Sequence, residues 1–293
     1  MFLTVFTPLY NRESSIRDVY DSLCNQTCKD FEWLVVNDGS TDNSGAIMKE
    51  ILTHHNNSFP IRYIERKNLG LMATLNEGIE NALGKMFMRL DSDDRALPEA
   101  VDLIARYYTL IQNRDDICAL VFRSVDLNNN PIGSHPFAES QITDFGEFRD
   151  RYRAQGDRSE VMKMDVYKHY RYPVIPGEKF CPEGYIWLKI AQKYQAYFMR
   201  EPIYQKGAPD DSITSSIYKY QKSNCKGMTL HYRALVSNRK LSFRFRMLGS
   251  IKFYRFVFYS GENPFKKIPL QFILFGLPLG IIVAIYDYFN NRE

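Results

Sequence analysis

The sequence has few of the residues that mark disulfide-bonded or zinc-binding proteins. It contains five cysteines, and none of them forms a C-x-x-C pair. Cys24 and Cys28 lie close together, but no further Cys or His has the spacing that would complete a zinc site. The odd number and scattered spacing of the cysteines therefore favour free thiols in a reducing compartment over a disulfide framework.

The chain also lacks a strong excess of one charge and a recognisable export signal. Its formal net charge of +4 is too small to indicate nucleic acid as a partner. The N-terminal "FLTVFTP" has neither the basic start nor the long apolar run of a secretory signal. We therefore expect a cytoplasmic catalytic region, and the 293-residue length predicts one large α/β domain with an appendage.

Residues 1–125 alternate short β-type runs with helix-type runs, which predicts a mainly parallel sheet flanked by helices. Ligands of such sheets bind at the carboxyl ends of the strands. The polar stretches "TPLYNR", "NDGSTD" and "DSDD" follow the first, second and fourth predicted strands. We therefore expect their side chains to meet at one edge of the sheet.

The end of the chain has a different character, with basic and aromatic residues followed by an apolar run. No charged residue occurs between Ile268 and Tyr286, and a bilayer span needs about 20 apolar residues. Prolines and glycines in the run leave open a span, an in-plane helix or a re-entrant hairpin. A buried core helix beside a solvated basic face is the alternative. We expect residues 216–293 to form a helical, membrane-associating tail, with Lys266 and Lys267 on the cytoplasmic side.

The acidic stretch "DSDD" suggests a metal site. On an extended strand, Asp91 and Asp93 point the same way and can face one ligand together. Two converging carboxylates favour a hard divalent cation, Mn²⁺ or Mg²⁺. The alternative is a strand-to-helix turn capped by Ser92 or Asp94.

Two other stretches suggest a nucleotide site. Asp38 ends an apolar strand just before a glycine, where its carboxylate can accept a hydrogen bond from a ring N–H such as that of uracil; a simple Asp-Gly turn is the alternative. Thr7 offers a hydroxyl, Tyr10 an aromatic face and Arg12 a positive charge. The alternative for this stretch is a strand that ends at Pro8.

Taken together, "TPLYNR", "VVNDGSTD", "NLGLMATLNEGI" and "RLDSDD" resemble the nucleotide-binding half of family-2 glycosyltransferases with the GT-A fold. The resemblance covers residues 1–125 and continues more weakly to about residue 215. It implies a GT-A-like catalytic domain over residues 1–215, with an acceptor half at residues 126–215.

The resemblance also implies roles for individual residues. Thr7, Tyr10 and Asp38 would hold the uracil of a UDP-sugar, Asp91 the ribose, and Asp93 the metal. Asn68, Gly70 and Asn76 match a motif that either approaches the diphosphate from a helix N-terminus or serves turn and packing. The implied donor-binding set is Thr7, Tyr10, Arg12, Asp38, Asn68, Gly70 and Asp91.

An inverting enzyme of this family needs a carboxylate base to deprotonate the acceptor hydroxyl. The family places an Asp of an "ED" pair before an aromatic residue, and the matching stretch here is "CPEGYIW". Glu183 is our candidate base, although Glu replaces Asp and Gly184 follows it. Glu178 in "PGEKF" is the rival, and a helix-start Glu complementing the macrodipole is the structural alternative for Glu183.

Two further features have weaker assignments. The stretch Asp210–Thr214 resembles a loop that closes the site, so Asp211 and Ser212 would meet donor or acceptor, or form a surface turn. His231 would approach the diphosphate from the segment that follows.

The sequence thus predicts an inverting, metal-dependent hexosyl- or N-acetylhexosaminyltransferase at the cytoplasmic face of the membrane. A polyprenyl-diphosphate-linked glycan would be its acceptor, in surface polysaccharide synthesis. An inactive nucleotide-sugar-binding scaffold is the first alternative, because the pair Glu-Gly stands in place of the family's Glu-Asp. A nucleotidyltransferase ranks last, because "TPLYNRESS" lacks the glycines of a phosphate-binding loop.

Overall fold

The computed structural model describes residues 1–207 and 217–290, which form a nine-stranded sheet and eleven helices. The strands are β1 (Leu3–Leu9), β2 (Phe31–Asn37), β3 (Ile61–Glu65), β4 (Met86–Arg89), β5 (Arg95–Ala96), β6 (Ile117–Val125), β7 (Gln141–Thr143), β8 (Arg158–Lys163) and β9 (Gln195–Gln205). The helices are α1 (Ile16–Cys24), α2 (Ser44–His54), α3 (Leu71–Asn81), α4 (Ala100–Ile111), α5 (Phe145–Asp150), α6 (Met164–Tyr167), α7 (Gly184–Ile190), α8 (Ile217–Ser223), α9 (Cys225–Ser237), α10 (Phe243–Ser260) and α11 (Leu270–Asn290).

The predicted α/β sheet flanked by helices is confirmed. Its strand order is β3-β2-β1-β4-β8-β6-β9-β5, and β7 pairs with β9. The strands β3, β2, β1 and β4 are parallel, whereas β8 runs antiparallel to both β4 and β6. The parallel half therefore brings the carboxyl ends of β1, β2 and β4 to one edge, as the sequence pattern predicts.

The central strands are buried because helices cover both faces of the sheet. Every residue of β2 is buried, and so are six of the seven residues of β1. Helix α1 buries Ile16, Val19 and Leu23, which the helical repeat places on one face. Continuous apolar strands and amphipathic helices thus form one core beneath the strand ends.

Helix α3 approaches β1 closely through a glycine. A Cβ atom at Gly78 would lie 2.5 Å from the ring of Phe6. Because no other residue leaves that space, Gly78 sets the distance between the helix and the strand. The N-terminus of α3 is held near the end of β2 by the Gly70 amide, which donates to Asp38 Oδ2 over 2.7 Å.

The described residues divide into two compact units. Unit 1 contains the sheet and comprises residues 1–144, 154–171 and 194–207; unit 2 comprises residues 145–153, 172–193 and 217–290. Unit 2 is helical, and among the described residues its α11 is the one helix long and apolar enough to cross a membrane. The division into a catalytic domain at residues 1–215 and a tail at residues 216–293 stays a prediction.

Candidate active site

The loops after β1 and β2 are joined by hydrogen bonds. The Asn11 amide donates to Ser40 Oγ over 3.1 Å, and the Arg12 amide donates to Ser44 Oγ over 2.8 Å. In return, the Thr41 amide donates to Asn11 Oδ1 over 2.8 Å. The two predicted nucleotide-binding stretches therefore form one connected surface at the edge of the sheet.

Thr7 and Tyr10 lie in different environments. Thr7 is fully buried, and its hydroxyl accepts a hydrogen bond from Trp33 Nε1 over 3.0 Å. Tyr10 lies past the end of β1 and is 46% exposed. The ring of Tyr10 is accessible to a planar ligand, whereas Thr7 mainly anchors the strand.

The Asp38 carboxylate holds the loop that leads into α3. Its Oδ1 accepts the Leu69 amide over 2.9 Å and lies 3.0 Å from the guanidinium of Arg66, and its Oδ2 accepts the Gly70 amide over 2.7 Å. The Asn68 side chain donates to the Asp38 carbonyl over 2.9 Å. The predicted donor residues Asp38, Asn68 and Gly70 are thus brought together, with Asp38 as the organising group.

The glycine after Asp38 is required by the backbone. Gly39 has a φ of +71°, and a Cβ there would lie 2.7 Å from the Asn68 amide nitrogen. The Asp-Gly turn and the ligand-facing interpretation of this stretch are therefore compatible, because the turn positions the carboxylate.

Two arginines neutralise the carboxylates of "DSDD". Arg89 Nε lies 2.5 Å from Asp91 Oδ1, and Arg12 Nε lies 3.5 Å from Asp93 Oδ2. The side chains of Asp91 and Asp93 are 28% and 32% exposed, so solvent and ligands can reach both. Arg12, predicted as a donor residue, therefore connects the β1 loop to the acidic cluster.

Lys206, at the end of β9, is a site residue that the sequence did not reveal. Its Nζ lies 2.9 Å from Asp157 Oδ2, 3.2 Å from Asp94 Oδ2 and 3.9 Å from Asp91 Oδ2. The Gly207 amide also donates to Asp94 Oδ1 over 3.0 Å. A lysine that follows an apolar strand gives no local signal, because its carboxylate partners are remote in the sequence.

These contacts shift the pKa values of the cluster in opposite directions. Burial, reinforced by the negative charge of Asp91, raises the pKa of Asp94 to about 7 although Lys206 opposes this shift. Burial also acts to raise the pKa of Asp91, but Arg89 and Lys206 outweigh it and lower that pKa. Burial acts to lower the pKa of Lys206, but the charges of Tyr204 and of the surrounding carboxylates outweigh this effect. The pKa of Lys206 is therefore raised. Asp91 therefore stays ionised while Asp94 titrates near neutrality.

The donor atoms fit a divalent cation only if a ligand completes the coordination. Residues 1–207 and 217–290 contain no group of three or more His, Cys, Asp or Glu side chains that could hold a metal ion. Asp91 and Asp93 nevertheless offer accessible carboxylate oxygens. Mg²⁺ is commonly held by one or two carboxylates together with substrate phosphates. The cluster thus matches a site completed by a diphosphate.

The two candidate bases, both in unit 2, have different surroundings. Glu178 accepts the Lys226 amide on Oε1 and the Gly227 amide on Oε2, each over 2.8 Å. It therefore caps the N-terminus of α9, where the first N–H groups lack intrahelical partners. Glu183 is half-buried and precedes α7, and its carbonyl accepts the Ile186 amide over 2.9 Å. The Glu178 carboxylate thus has a structural role, and the assignment of Glu183 as base stays a prediction.

His231 lies against the start of α7 in the same unit. A Cβ atom at Gly184 would lie 2.7 Å from His231 Cε1, so the glycine allows the ring to approach the backbone. The buried Nδ1 of His231 has no hydrogen-bond partner within the described residues. Burial, with the nearby charge of Lys252, lowers the pKa of His231 to about 4. The predicted loop Asp210–Thr214 lies outside the described residues.

The fold is an α/β sheet with polar side chains clustered at the strand ends, and the comparisons with known proteins identify its family. The Glycosyl transferase family 2 domain matches residues 4–171. The chain therefore belongs to glycosyl transferase family 2.

Two curated relatives illustrate the similarity. The chain is 40% identical over 202 residues to glycosyltransferase GlyA of Streptococcus pneumoniae, covering 64% of this chain and 28% of that protein. It is 32% identical over 132 residues to chondroitin synthase of Pasteurella multocida, covering 45% of this chain and 13% of that protein. The chain thus spans only a small fraction of either relative.

Solved structures confirm the predicted GT-A-like fold. Residues 1–349 of Staphylococcus aureus TarS, in complex with UDP-GlcNAc, align with a TM-score of 0.71 at 16% identity, over 100% of this chain and 93% of that one. Mannosyltransferase PcManGT of Pyrobaculum calidifontis, in complex with GDP-Man and Mn²⁺, aligns with a TM-score of 0.56 at 14% identity, over 99% of this chain and 88% of that one.

Proposed function

We propose that this glycosyltransferase moves a hexosyl or N-acetylhexosaminyl group from a UDP-sugar, with inversion and with the help of Mn²⁺ or Mg²⁺. The observation that carries the proposal is the accessible pair Asp91 and Asp93 at the end of β4, bordered by Arg12 and the connected β1 and β2 loops. The binding of UDP-GlcNAc by TarS and of Mn²⁺ by PcManGT supports the same chemistry here.

The donor would be held at the carboxyl edge of the sheet in unit 1. The accessible Tyr10 would stack on the uracil, Asp91 would accept hydrogen bonds from the ribose, and Arg12 would face the diphosphate. Asp38 would keep Asn68 and Gly70 in place. The donor-binding set that the motifs imply is Thr7, Tyr10, Arg12, Asp38, Asn68, Gly70 and Asp91. Within it, the fully buried Thr7 would act by anchoring β1 and not by touching the donor.

The metal would be held by Asp93 and completed by diphosphate oxygens. When bound, a divalent cation would stabilise the negative charge that develops on the leaving UDP. The side chains of Arg12 and Lys206 would contribute positive charge to the same region.

Glu183 would act as general base. A direct displacement with inversion requires a group that removes the proton from the acceptor hydroxyl as the new bond forms. Glu183 carries its carboxylate at the start of α7, at the position that the family motif implies, and the Glu178 carboxylate caps the N-terminus of α9. We propose a polyprenyl-diphosphate-linked glycan as acceptor, at the cytoplasmic face of the membrane, in surface polysaccharide synthesis.

Calorimetric titration of UDP into the protein, first with Mn²⁺ and then with chelator, tests the donor site. We expect binding that weakens at least tenfold with chelator and with Asp93→Ala, because both changes remove the bridge to the diphosphate. Asp115→Ala, an exposed acidic residue away from the site, is the matched control and should leave binding unchanged. Equal binding with and without metal would refute the metal role, and no binding at all would refute the UDP donor.

A further inference from the structure

Helix α11 has the reverse of the pattern of a soluble surface helix. Its buried positions include Phe272, Gly276, Gly280 and Asp287, and most of these are small or charged. Its outward positions carry large apolar side chains, 51–63% exposed, which we call the outer face: Leu274, Phe275, Ile282, Ile285 and Phe289. Exposure of such an apolar face to water is unfavourable, so we infer that an apolar partner covers it.

The small inward residues pack α11 tightly against α10. A Cβ at Gly276 would lie 2.2 Å from Ser250 Oγ, and a Cβ at Gly280 would lie 2.4 Å from Tyr254 Cβ. Near the end of α11, Asp287 is 5% exposed and pairs with Arg255 through two contacts of 2.5 and 2.9 Å. The two helices therefore form one packed element, and α11 is not a separate segment.

This packing is incompatible with α11 as a transmembrane span. A span that kept its contacts would take α10 into the bilayer, and α10 carries Arg244, Arg246, Lys252 and Arg255. A span that lost its contacts would leave Asp287 without Arg255 near the hydrocarbon. Both arrangements would put charged side chains into or next to the hydrocarbon of the bilayer, which is energetically unfavourable.

The distribution of charge identifies the apolar partner as a lipid surface. Between residues 239 and 286 the chain has eight Lys and Arg and a single acidic residue, Glu262. Among the cations, Arg244, Lys252, Lys266 and Lys267 are exposed. Two copies of this tail would repel each other, whereas anionic headgroups would attract it.

We propose that α11 lies in the plane of an anionic membrane surface, with its outer face among the acyl chains and its neighbouring cations at the headgroups. Its 21 residues would then form a stripe roughly 30 Å long parallel to the surface. This inference deepens the proposed membrane location, but it rests on unit 2 alone and requires no knowledge of the donor.

Vesicle sedimentation of the full chain tests the partner. We expect binding to phosphatidylcholine vesicles that contain phosphatidylglycerol, and much weaker binding to phosphatidylcholine alone. The double variant Phe275→Gln/Ile282→Gln should lose at least tenfold in vesicle affinity. Leu83→Gln/Leu110→Gln, at two equally exposed apolar residues of unit 1, should bind as the wild type does. Vesicle binding that survives the α11 double variant, or self-association without lipid binding, would overturn the proposal.

Depth measurement tests the in-plane orientation. The chain has only two tryptophans, so single replacements Leu274→Trp, Ile282→Trp and Phe289→Trp can be followed by quenching with lipids brominated at different depths. An in-plane helix predicts one shallow depth for all three, and a gradient through the bilayer centre would overturn it. UDP binding by the same variants is measured separately, so failure of the donor proposal remains distinguishable.

Discussion

The two glutamates near α7 have similar sequence settings and different structural roles, so a pair of isosteric substitutions separates them. Glu183→Gln should lower glycosyl transfer at least 100-fold, because an amide cannot accept the acceptor's proton. Glu178→Gln should mainly destabilise the protein, by about 1–2 kcal/mol, because an amide NH₂ would face one of the two N–H groups that the carboxylate accepts. Transfer rates and thermal melts of both variants give the comparison.

The pairing of outcomes makes this test decisive. Near-normal transfer by Glu183→Gln, with a collapse of transfer by folded Glu178→Gln, would assign the base to Glu178. UDP affinity serves as the control, because neither glutamate belongs to the proposed donor site.

His231 should make stability depend on pH in the acidic range. Its pKa is lowered to about 4 in the folded protein, against 6.5 for an unperturbed histidine. Between these values the unfolded chain binds a proton that the folded protein excludes, so stability falls as the pH drops from 6.5 towards 4. The loss should be on the order of 3 kcal/mol over this range.

Thermal melts between pH 4.5 and 7 check this expectation. As the pH falls, the wild type should lose stability relative to His231→Phe, because the variant has no group to protonate there. His54→Phe, at an exposed histidine, is the control and should keep the wild-type pH dependence. Parallel curves for the wild type and His231→Phe would contradict the prediction.

At the level of single residues, the sequence predicted which side chains cluster but not how they are paired. Asp91 and Asp93 were expected to alternate on an extended strand, but they lie in a turn after β4 in which the Asp94 amide donates to the Asp91 carbonyl over 3.0 Å. Arg12 was expected from its position after β1. Lys206 was not, because its partners Asp94 and Asp157 are brought to it by strand pairing across the sheet.

At the level of elements, Gly78 sets the distance between α3 and β1. Gly78→Ala should destabilise the protein by about 1–3 kcal/mol despite the better helix propensity of alanine, because the new methyl group would overlap the Phe6 ring. Glu80→Ala, on the exposed side of the same helix, should be nearly neutral. Urea unfolding measures both, and equal stabilities would show that the ring can move aside.

The elements of residues 1–125 other than β5 were predictable because each of those strands is a short, mainly apolar run and each helix has an apolar face. The two-residue β5 gives no such signal. The region 126–160 is polar and rich in turn-forming residues, yet it contains β7 and α5. These short elements carry little periodic signal, and β7 pairs with β9, which follows more than 50 residues later. The direction of β8 depends on a different tertiary pairing, because β8 lies between β4 and β6 and runs antiparallel to both.

At the level of the whole molecule, the C-terminal helix has a structural role beyond membrane association. Deletion of residues 264–293 would uncover the cluster that includes Phe253, Tyr254 and Val257 on α10. We expect the truncated protein to lose solubility and to melt at a lower temperature than the full chain, whether or not lipid is present. A truncated protein as soluble and stable as the full chain would contradict this packing role.

The charge balance around Asp91, Asp93 and Asp94 has a consequence for the order in which reactants arrive. Arg12, Arg89 and Lys206 already neutralise these carboxylates, so the resting enzyme need not recruit a free ion to relieve repulsion. We therefore expect metal and nucleotide to enter as one preformed chelate. Initial rates should follow the concentration of that chelate. Preincubation of the enzyme with metal should not change the time course, because no lag precedes the steady rate.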